Sequence, residues 1–222
     1  MEKFSVKDFY KSEIDQIWDE AKIENKELLS RGYAVHDEII KNTILFIGIN
    51  PSFSGKNKKR GSYFFNNNDD DEKMHKYFNK FKKISKEIDL PWTHFDLLYF
   101  RETNQKYISE LLNDKNGIGF IYNQLQLSKK IITNAVPKIL VVTNTMSRHF
   151  MGLDKDKQKN TGVWMDFDFE FDDNLGTYKI IDSELDGVPV FFTSMLTGQR
   201  ALDNGSFKRL VWHINFVLKK IN

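Results

Sequence analysis

Hydrophobic and polar positions alternate along this chain in blocks of different period. Tyr10, Ile14, Ile17, Trp18 and Ala21 recur three and four apart, which predicts an N-terminal helix within about residues 5–30. Thr43 through Ile49 is an apolar run that stops at Asn50-Pro51. A run apolar on both faces and closed by a turn signal predicts a buried strand of a parallel sheet. A polar loop follows over residues 52–72, with the basic run Lys56 to Arg60, the aromatics Tyr63-Phe64-Phe65 and an acidic stretch ending at Glu72. Met74, Tyr77, Phe78, Phe81, Ile84 and Ile88 then form one helical stripe.

The second half repeats the alternation. His94 to Phe100 is strand-like, a helix is predicted over residues 120–135, and Pro137 ends it. Lys138 to Thr143 is a second buried strand, and Asn144 to Phe150 begins another helix. Trp164 to Phe171 alternates apolar and acidic residues, and with Thr177 to Ile181 it predicts a hairpin. Val188 to Thr193 is the last apolar strand. Phe207, Leu210, Val211, Ile214, Val217, Leu218 and Ile221 predict a C-terminal helix with Asp203, Asn204 or Ser206 as its cap. Strands alternating with helices predict a three-layer α/β/α sandwich around a central, mainly parallel, four-stranded sheet. The core is expected over about residues 40–222 of a single domain spanning 1–222.

Composition narrows this picture. The 222 residues are 40 % hydrophobic and 29 % charged, a globular balance and not a disordered one. Lys and Arg number 33 against 31 Asp and Glu, so the formal net charge of +2 excludes a strongly basic coat protein but leaves room for a local basic patch. Cysteine is absent, which excludes disulfides, thiolate nucleophiles, zinc–thiolate sites and iron–sulfur clusters. The start of the chain carries no apolar leader and no run approaches the length of a membrane span, so an intracellular, cytoplasmic protein with no membrane partner is expected. The five histidines form no His-Glu-x-x-His pair, Asn68 to Glu72 lacks the calcium-loop spacing, and no Gly-x-x-x-x-Gly-Lys or Gly-x-Ser-x-Gly occurs. Neither a metal nor a cofactor is expected.

In parallel sheets, reactive loops lie beyond the carboxyl ends of the strands. Here those ends read Gly48-Ile49-Asn50-Pro51-Ser52, Tyr99 to Gln105, Thr143-Asn144-Thr145 and Thr193 to Arg200. Each is polar after an apolar strand. Any one of them could be only a turn or a cap; four on one sheet edge point to a shared site.

Gly48-Ile49-Asn50-Pro51 resembles the first motif of the uracil-DNA glycosylase superfamily, in particular the Gly-Ile-Asn-Pro-Gly of its mismatch-specific branch. Tyr63-Phe64-Phe65 lies where that superfamily places its base-stacking aromatic. Pro137 to Val142 followed by Asn144-Thr145 resembles its third core strand, and Val188 to Ser194 resembles the strand feeding its second motif. The likeness covers roughly residues 40–220. It implies a monofunctional, cofactor-free, monomeric enzyme that flips a damaged or mismatched base out of DNA and hydrolyses its glycosidic bond.

On that resemblance Asn50 is the catalytic residue and positions water near the sugar, although it could equally cap the turn before Pro51. An Asp there would polarise the water more strongly, so Asn50→Asp is expected to match or exceed the parent where the pocket tolerates the charge. Base binding falls to Gly48, Ile49, Pro51, one of Phe64 and Phe65, Asp96 and Ser194. Asp96 precedes Arg101 by five residues, as a base-reading Asn does in some members. DNA contacts fall to Lys58, Arg60, Arg101, Leu196, Thr197, Gln199 and Arg200, with Leu196, Gln199 and Arg200 as wedge and plug. A structural alternative stays open for three of these: Asp96 as a buried or capping acid, the aromatics as core, and Arg101 as the partner of Glu102 or another acid. The second motif departs from the superfamily. Met195-Leu196 stands where many members have His-Pro, and Met cannot donate a hydrogen bond to a departing base. Ser194, Thr197, Gln199 and Arg200 are the candidate substitutes. That departure and the modest charge favour the alternative of a non-catalytic nucleic-acid or nucleobase-binding protein on the same fold.

Overall fold

The computed structural model describes residues 1–53, 60–66, 76–159, 161–181, 184–198 and 201–221. In chain order the elements are β1 (Lys3–Ser5), α1 (Val6–Asp19), α2 (Lys26–Ser30), β2 (Ala34–His36), β3 (Glu38–Ile40), β4 (Ile44–Gly48) and β5 (Tyr63–Phe65). A 3₁₀ turn (Lys76–Phe78) leads into α3 (Asn79–Ile88), then β6 (Trp92–Asp96), α4 (Lys106–Asn113), α5 (Lys115–Ala135), β7 (Ile139–Val142) and α6 (Thr145–Met151). The hairpin β8 (Phe169–Asp172) and β9 (Thr177–Ile180), then β10 (Pro189–Phe192) and α7 (Asn204–Ile221), complete the chain.

The main sheet runs β6-β4-β7-β10-β9-β8. Its first four strands are parallel, and the hairpin adds two antiparallel strands beside β10. The expected four-stranded sheet is therefore the parallel part of a six-stranded one. The alternation of Phe169, Glu170 and Phe171 revealed a hairpin, but not that its edge would pair with β10, a contact between residues far apart in sequence. The N-terminal helix is likewise two helices, broken before Asn25, whose side chain caps α2 through the Leu28 amide.

Side-chain alternation in the central strands divides the core in two. Leu45 and Ile47 of β4, with Leu140 and Val142 of β7, face one large cluster that includes Ile14, Ile121, Leu125, Ile132 and Phe150 from α1, α5 and α6. Ile44, Phe46, Ile139 and Val141 face the opposite cluster, built with Phe81 and Ile84 of α3 and Phe207, Val211 and Ile214 of α7. This is a helix layer on each face of the sheet, as the strand and helix order predicts. Among the described residues no helix is long and apolar enough to cross a membrane.

Two features of this frame set up the site. First, β4 connects to β6 on one side, while β7 lies on its other side. The direction of winding thus reverses beside β4, and the carboxyl ends of β4 and β7 diverge into a crevice. Second, β5 leaves the main sheet and pairs in parallel with β2. It is drawn in tightly where the chain turns at Gly32, whose φ is +71°; a Cβ there would lie 2.5 Å from the Gly61 carbonyl carbon and the Ser62 nitrogen.

The long helix α5 ends at Val136, which caps it in the left-handed region at φ 42° and is half exposed ahead of Pro137. A β-branched residue is poorly suited to that conformation. Val136→Gly is expected to raise unfolding stability by about 1 kcal/mol, read by urea titration with an unchanged m-value.

Candidate functional site

The crevice beyond β4 and β7 is a cavity of about 660 Å³. Its floor is Gly48, His94, Asp96 and Thr143. Asn50, Pro51 and Asn144 line one part of the wall, and the aromatics Tyr63, Phe65, Tyr77 and Phe78 line another. Met195, Thr197 and Gly198 complete the mouth. Four separate strand ends therefore converge on it, as the polar strand ends predicted.

Gly48 and Asp96 are register partners on adjacent strands. A Cβ built on Gly48 would lie 2.0 Å from Asp96 Oδ1 and 2.8 Å from His94 Nε2. The glycine thus leaves the space in which the carboxyl group lies. Asp96 is largely buried, with 14 % of its side chain exposed, and burial pushes its pKa up to about 7. His94 Nε2 is 3.6 Å from Asp96 Oδ1, too far for a hydrogen bond. Among the described residues neither ring nitrogen of His94 has a hydrogen-bond partner. Burial, and then the nearby His36, push His94 down to about 3. His94 is therefore neutral near pH 7, whereas Asp96 is neutral below that pH and loses its proton through it. Tyr77, also on the cavity wall, is raised by burial first and by the Asp96 charge second.

Asn50 has a structural role that its position in the sequence only hinted at. Its amide nitrogen donates to the carbonyls of Glu102 at 2.6 Å, Pro51 at 3.2 Å and Phe100 at 3.4 Å. Three acceptors on that side identify it as the NH₂ and leave Oδ1 as the acceptor. The side chain therefore ties the end of β4 to the segment after β6. A carboxylate at position 50 would face those carbonyls, so the condition set for Asn50→Asp, a pocket that tolerates the charge, is not supplied on that side.

The segment after β6 is held from its other side as well. Arg31 donates to Glu102 and to the Arg101 carbonyl, and Arg101 donates to the carbonyls of Arg31 at 3.0 Å and Gly61 at 3.4 Å. The Phe53 ring lies 4.7 Å from the guanidinium carbon of Arg31 and 5.0 Å from that of Arg101. Arg101 is thus a buried clamp beneath β5, not an exposed phosphate ligand, and Arg31 is the partner of Glu102. Neither bond was visible in sequence, because Arg31 lies in an unremarkable turn.

The other expected site residues divide clearly. Gly48, Ile49, Asn50, Pro51, Phe65, Asp96 and Thr197 come together. The period-two geometry of β5 turns Tyr63 and Phe65 to the cavity and sends Phe64 into the core, where its ring packs 5.6 Å from that of Tyr33. Ser194 is exposed and does not line the cavity; its neighbour Met195 does. Leu196 is buried among Phe191, Phe207 and Val211, so it is core and not a wedge. Thr197 Oγ1 is buried at the mouth without a hydrogen-bond partner among the described residues. Arg60 is exposed and pairs with Glu27 at 3.6 Å. Lys56, Lys58, Lys59, Gln199 and Arg200 lie outside the described residues. The sequence reading missed His94 and Tyr77. Tyr77 sat in the helical stripe, and His94 two residues before Asp96 is the one signal that could have flagged it, since i and i+2 share a strand face. Among the described residues no three His, Asp or Glu side chains gather as metal ligands.

No family model, curated protein or solved structure matches this chain. The site is an aromatic-walled cleft with a buried acid, an unpartnered imidazole and hydroxyl, and an amide oxygen. The flat walls suit a planar ring and the few polar groups suit the edge of a heterocycle.

Two outcomes test this geometry. Asn50→Ala is expected to lose about 1–3 kcal/mol of stability through the orphaned carbonyls. Asn50→Asp should lose more at neutral pH and recover part of it as the pH falls and the carboxyl takes a proton, both followed by chemical denaturation. Asp96 carries the second test. Its raised pKa means the folded state holds a proton that the unfolded chain releases above the ordinary value of 3.8. Asp96 therefore withdraws stability as pH rises from about 4 to about 7, with no further change above. His94 and His36, lowered to about 3 and about 4, act in the opposite direction up to the ordinary histidine range. The difference between wild type and Asp96→Asn isolates the acid: the variant's relative stability should climb between about pH 4 and pH 7 and then level off.

Proposed function

We propose that this cavity receives a nucleobase flipped out of DNA and that the protein hydrolyses its N-glycosidic bond. The observation that carries this reading is the meeting of Asn50, Asp96 and Phe65 in one cleft at the reversal point of a parallel sheet. Phe65 and Tyr63 offer faces on which a base can stack. Asp96 and Thr197 offer polar partners for its edge. Asn50, with its NH₂ anchored, turns its amide oxygen to the task of holding water, and the anchoring makes that oxygen rigid. Breaking the bond leaves positive charge on the sugar and negative charge on the base, so water is needed on one side and a proton or hydrogen bond on the other. The resemblance of Gly48 to Pro51 to the first motif of the uracil-DNA glycosylase superfamily supports the same reading.

A second reading has its own observation. The anchoring bonds of Asn50 are sufficient reason for an Asn at that turn, and Met195 brings no donor to the mouth. A nucleobase-binding protein without catalysis would show both.

The test is to incubate the protein with oligonucleotides carrying uracil, hypoxanthine, xanthine or mismatched thymine and then cleave abasic sites with alkali. Strand breaks at one or more of these bases are expected, and binding should weaken steeply with added salt. Salt-sensitive binding with no breaks would establish the second reading, and no binding to any oligonucleotide would refute both. Where wild type is active, Asn50→Ala, checked for folding, should lose most turnover while retaining most DNA affinity.

A further inference from the structure

Base excision makes one demand that Met195 does not meet. Something must neutralise the base as it departs. The floor of the cavity holds two groups able to do so. Asp96 ends β6 with its carboxyl over Gly48, in the wall shared with Asn50. His94, two residues earlier on the same face, sets Nε2 3.6 Å from Asp96 Oδ1. The imidazole is caged by the rings of Tyr77 at 5.8 Å, Phe78 at 5.3 Å and Phe81 at 5.5 Å, and neither of its nitrogens has a hydrogen-bond partner among the described residues. An unpartnered buried imidazole is costly, since each unsatisfied nitrogen keeps its desolvation penalty. A shift of a few tenths of an ångström would let Nε2–H donate to Oδ1. That would fix Oδ1 as an acceptor and leave Oδ2 to carry the acid proton.

We infer that, in the excision reaction proposed above, Asp96 is the acid that protonates the departing base, with His94 as its positioning residue. The inference rests on that reaction. The bond between C1′ and the base nitrogen breaks and its electron pair stays with the base. The base takes the Asp96 proton at a carbonyl oxygen or an unprotonated ring nitrogen. Water held by the Asn50 amide oxygen adds to C1′, and its surplus proton returns to the Asp96 carboxylate. The products are a neutral base and a sugar hydroxyl, with nothing oxidised or reduced. The substrate class follows: a base that presents a hydrogen-bond acceptor to Asp96.

The surroundings suit an acid. From β6, His94 is neutral above about pH 3, and from β2, His36 against it is neutral above about pH 4. Tyr77, beside the cavity, is held neutral by burial. Glu102 on the wall is tied to Arg31. Lys76 on the wall is the cationic group among the described cavity residues. Asp96 itself, raised to about 7 by burial, keeps its proton into the neutral range.

The experiment is single-turnover base release from whichever oligonucleotide wild type cleaves, from about pH 5 to pH 9. Wild type should hold its rate up to about pH 7 and lose about tenfold per pH unit beyond it. Asp96→Asn keeps the shape and a donor but has no proton to give. It should fall by about 10²–10⁴-fold and lose the break near neutrality. His94→Gln, which can still donate to Oδ1, should retain most activity, whereas His94→Phe should move the break in the pH profile. If Asp96→Asn is as active as wild type with the same profile, Asp96 is not the acid, although the glycosylase reading stands. If wild type is active but shows no fall above neutrality, the inference is overturned even where Asp96→Asn does not fold. If wild type releases no base from any substrate, the excision reading fails and takes this inference with it.

Discussion

The carboxyl group of Asp96 lies over Gly48, its register partner on the neighbouring strand, in the space a side chain would fill. That close approach is the constraint on which the cavity depends. It places an ionisable group on the floor of an aromatic-walled crevice, where no Lys or Arg among the described residues forms an ion pair with it. Burial there disfavours the carboxylate and raises its pKa to about 7. It also brings the group beside the end of β4, where Asn50 lies. A methyl group at position 48 would displace the acid and, behind it, His94.

The walls around that floor are held by bonds that do not depend on any ligand. Asn50 ties the end of β4 to three carbonyls, and Arg31 with Glu102 fixes the segment that follows β6. Arg101 and Phe53 hold this segment to β5, which carries Tyr63 and Phe65 to the rim. Buried charges of this kind contribute little net stability, but removing one partner leaves the other uncompensated. Their effect here is geometric, since they hold the aromatic wall at a set distance from the strand ends. A pocket preorganised in this way can aim dipoles at a reacting centre without reorganising when the reaction occurs.

Charge tells less than geometry about the partner. The net charge of +2 is too small to describe a nucleic-acid surface, and Arg101, one of the cations expected to contact DNA, is buried and bonded internally. Lys76 at the cavity is the described cation best placed to meet an anionic ligand there.

The sequence by itself determined the layered α/β architecture, the parallel core strands and the edge of the sheet at which the site lies. These follow from local rules: apolar runs for doubly covered strands, three-and-four spacing for helices, and polar residues where strands end. It also placed Asn50 just after such a strand; Asp96, read inside a strand over 94–100, was reached only through the resemblance, and the structure ends β6 at it. Only the tertiary structure decided that the sheet has six strands, that Phe65 and not Phe64 faces the cavity, that Leu196 is core, and that Arg101 is a clamp. It alone paired Arg31 with Glu102 and set His94 against Asp96. Each of these depends on which face of an element meets which neighbour, and on contacts between residues far apart in the chain. Period and composition carry no information about such contacts until the layers are packed.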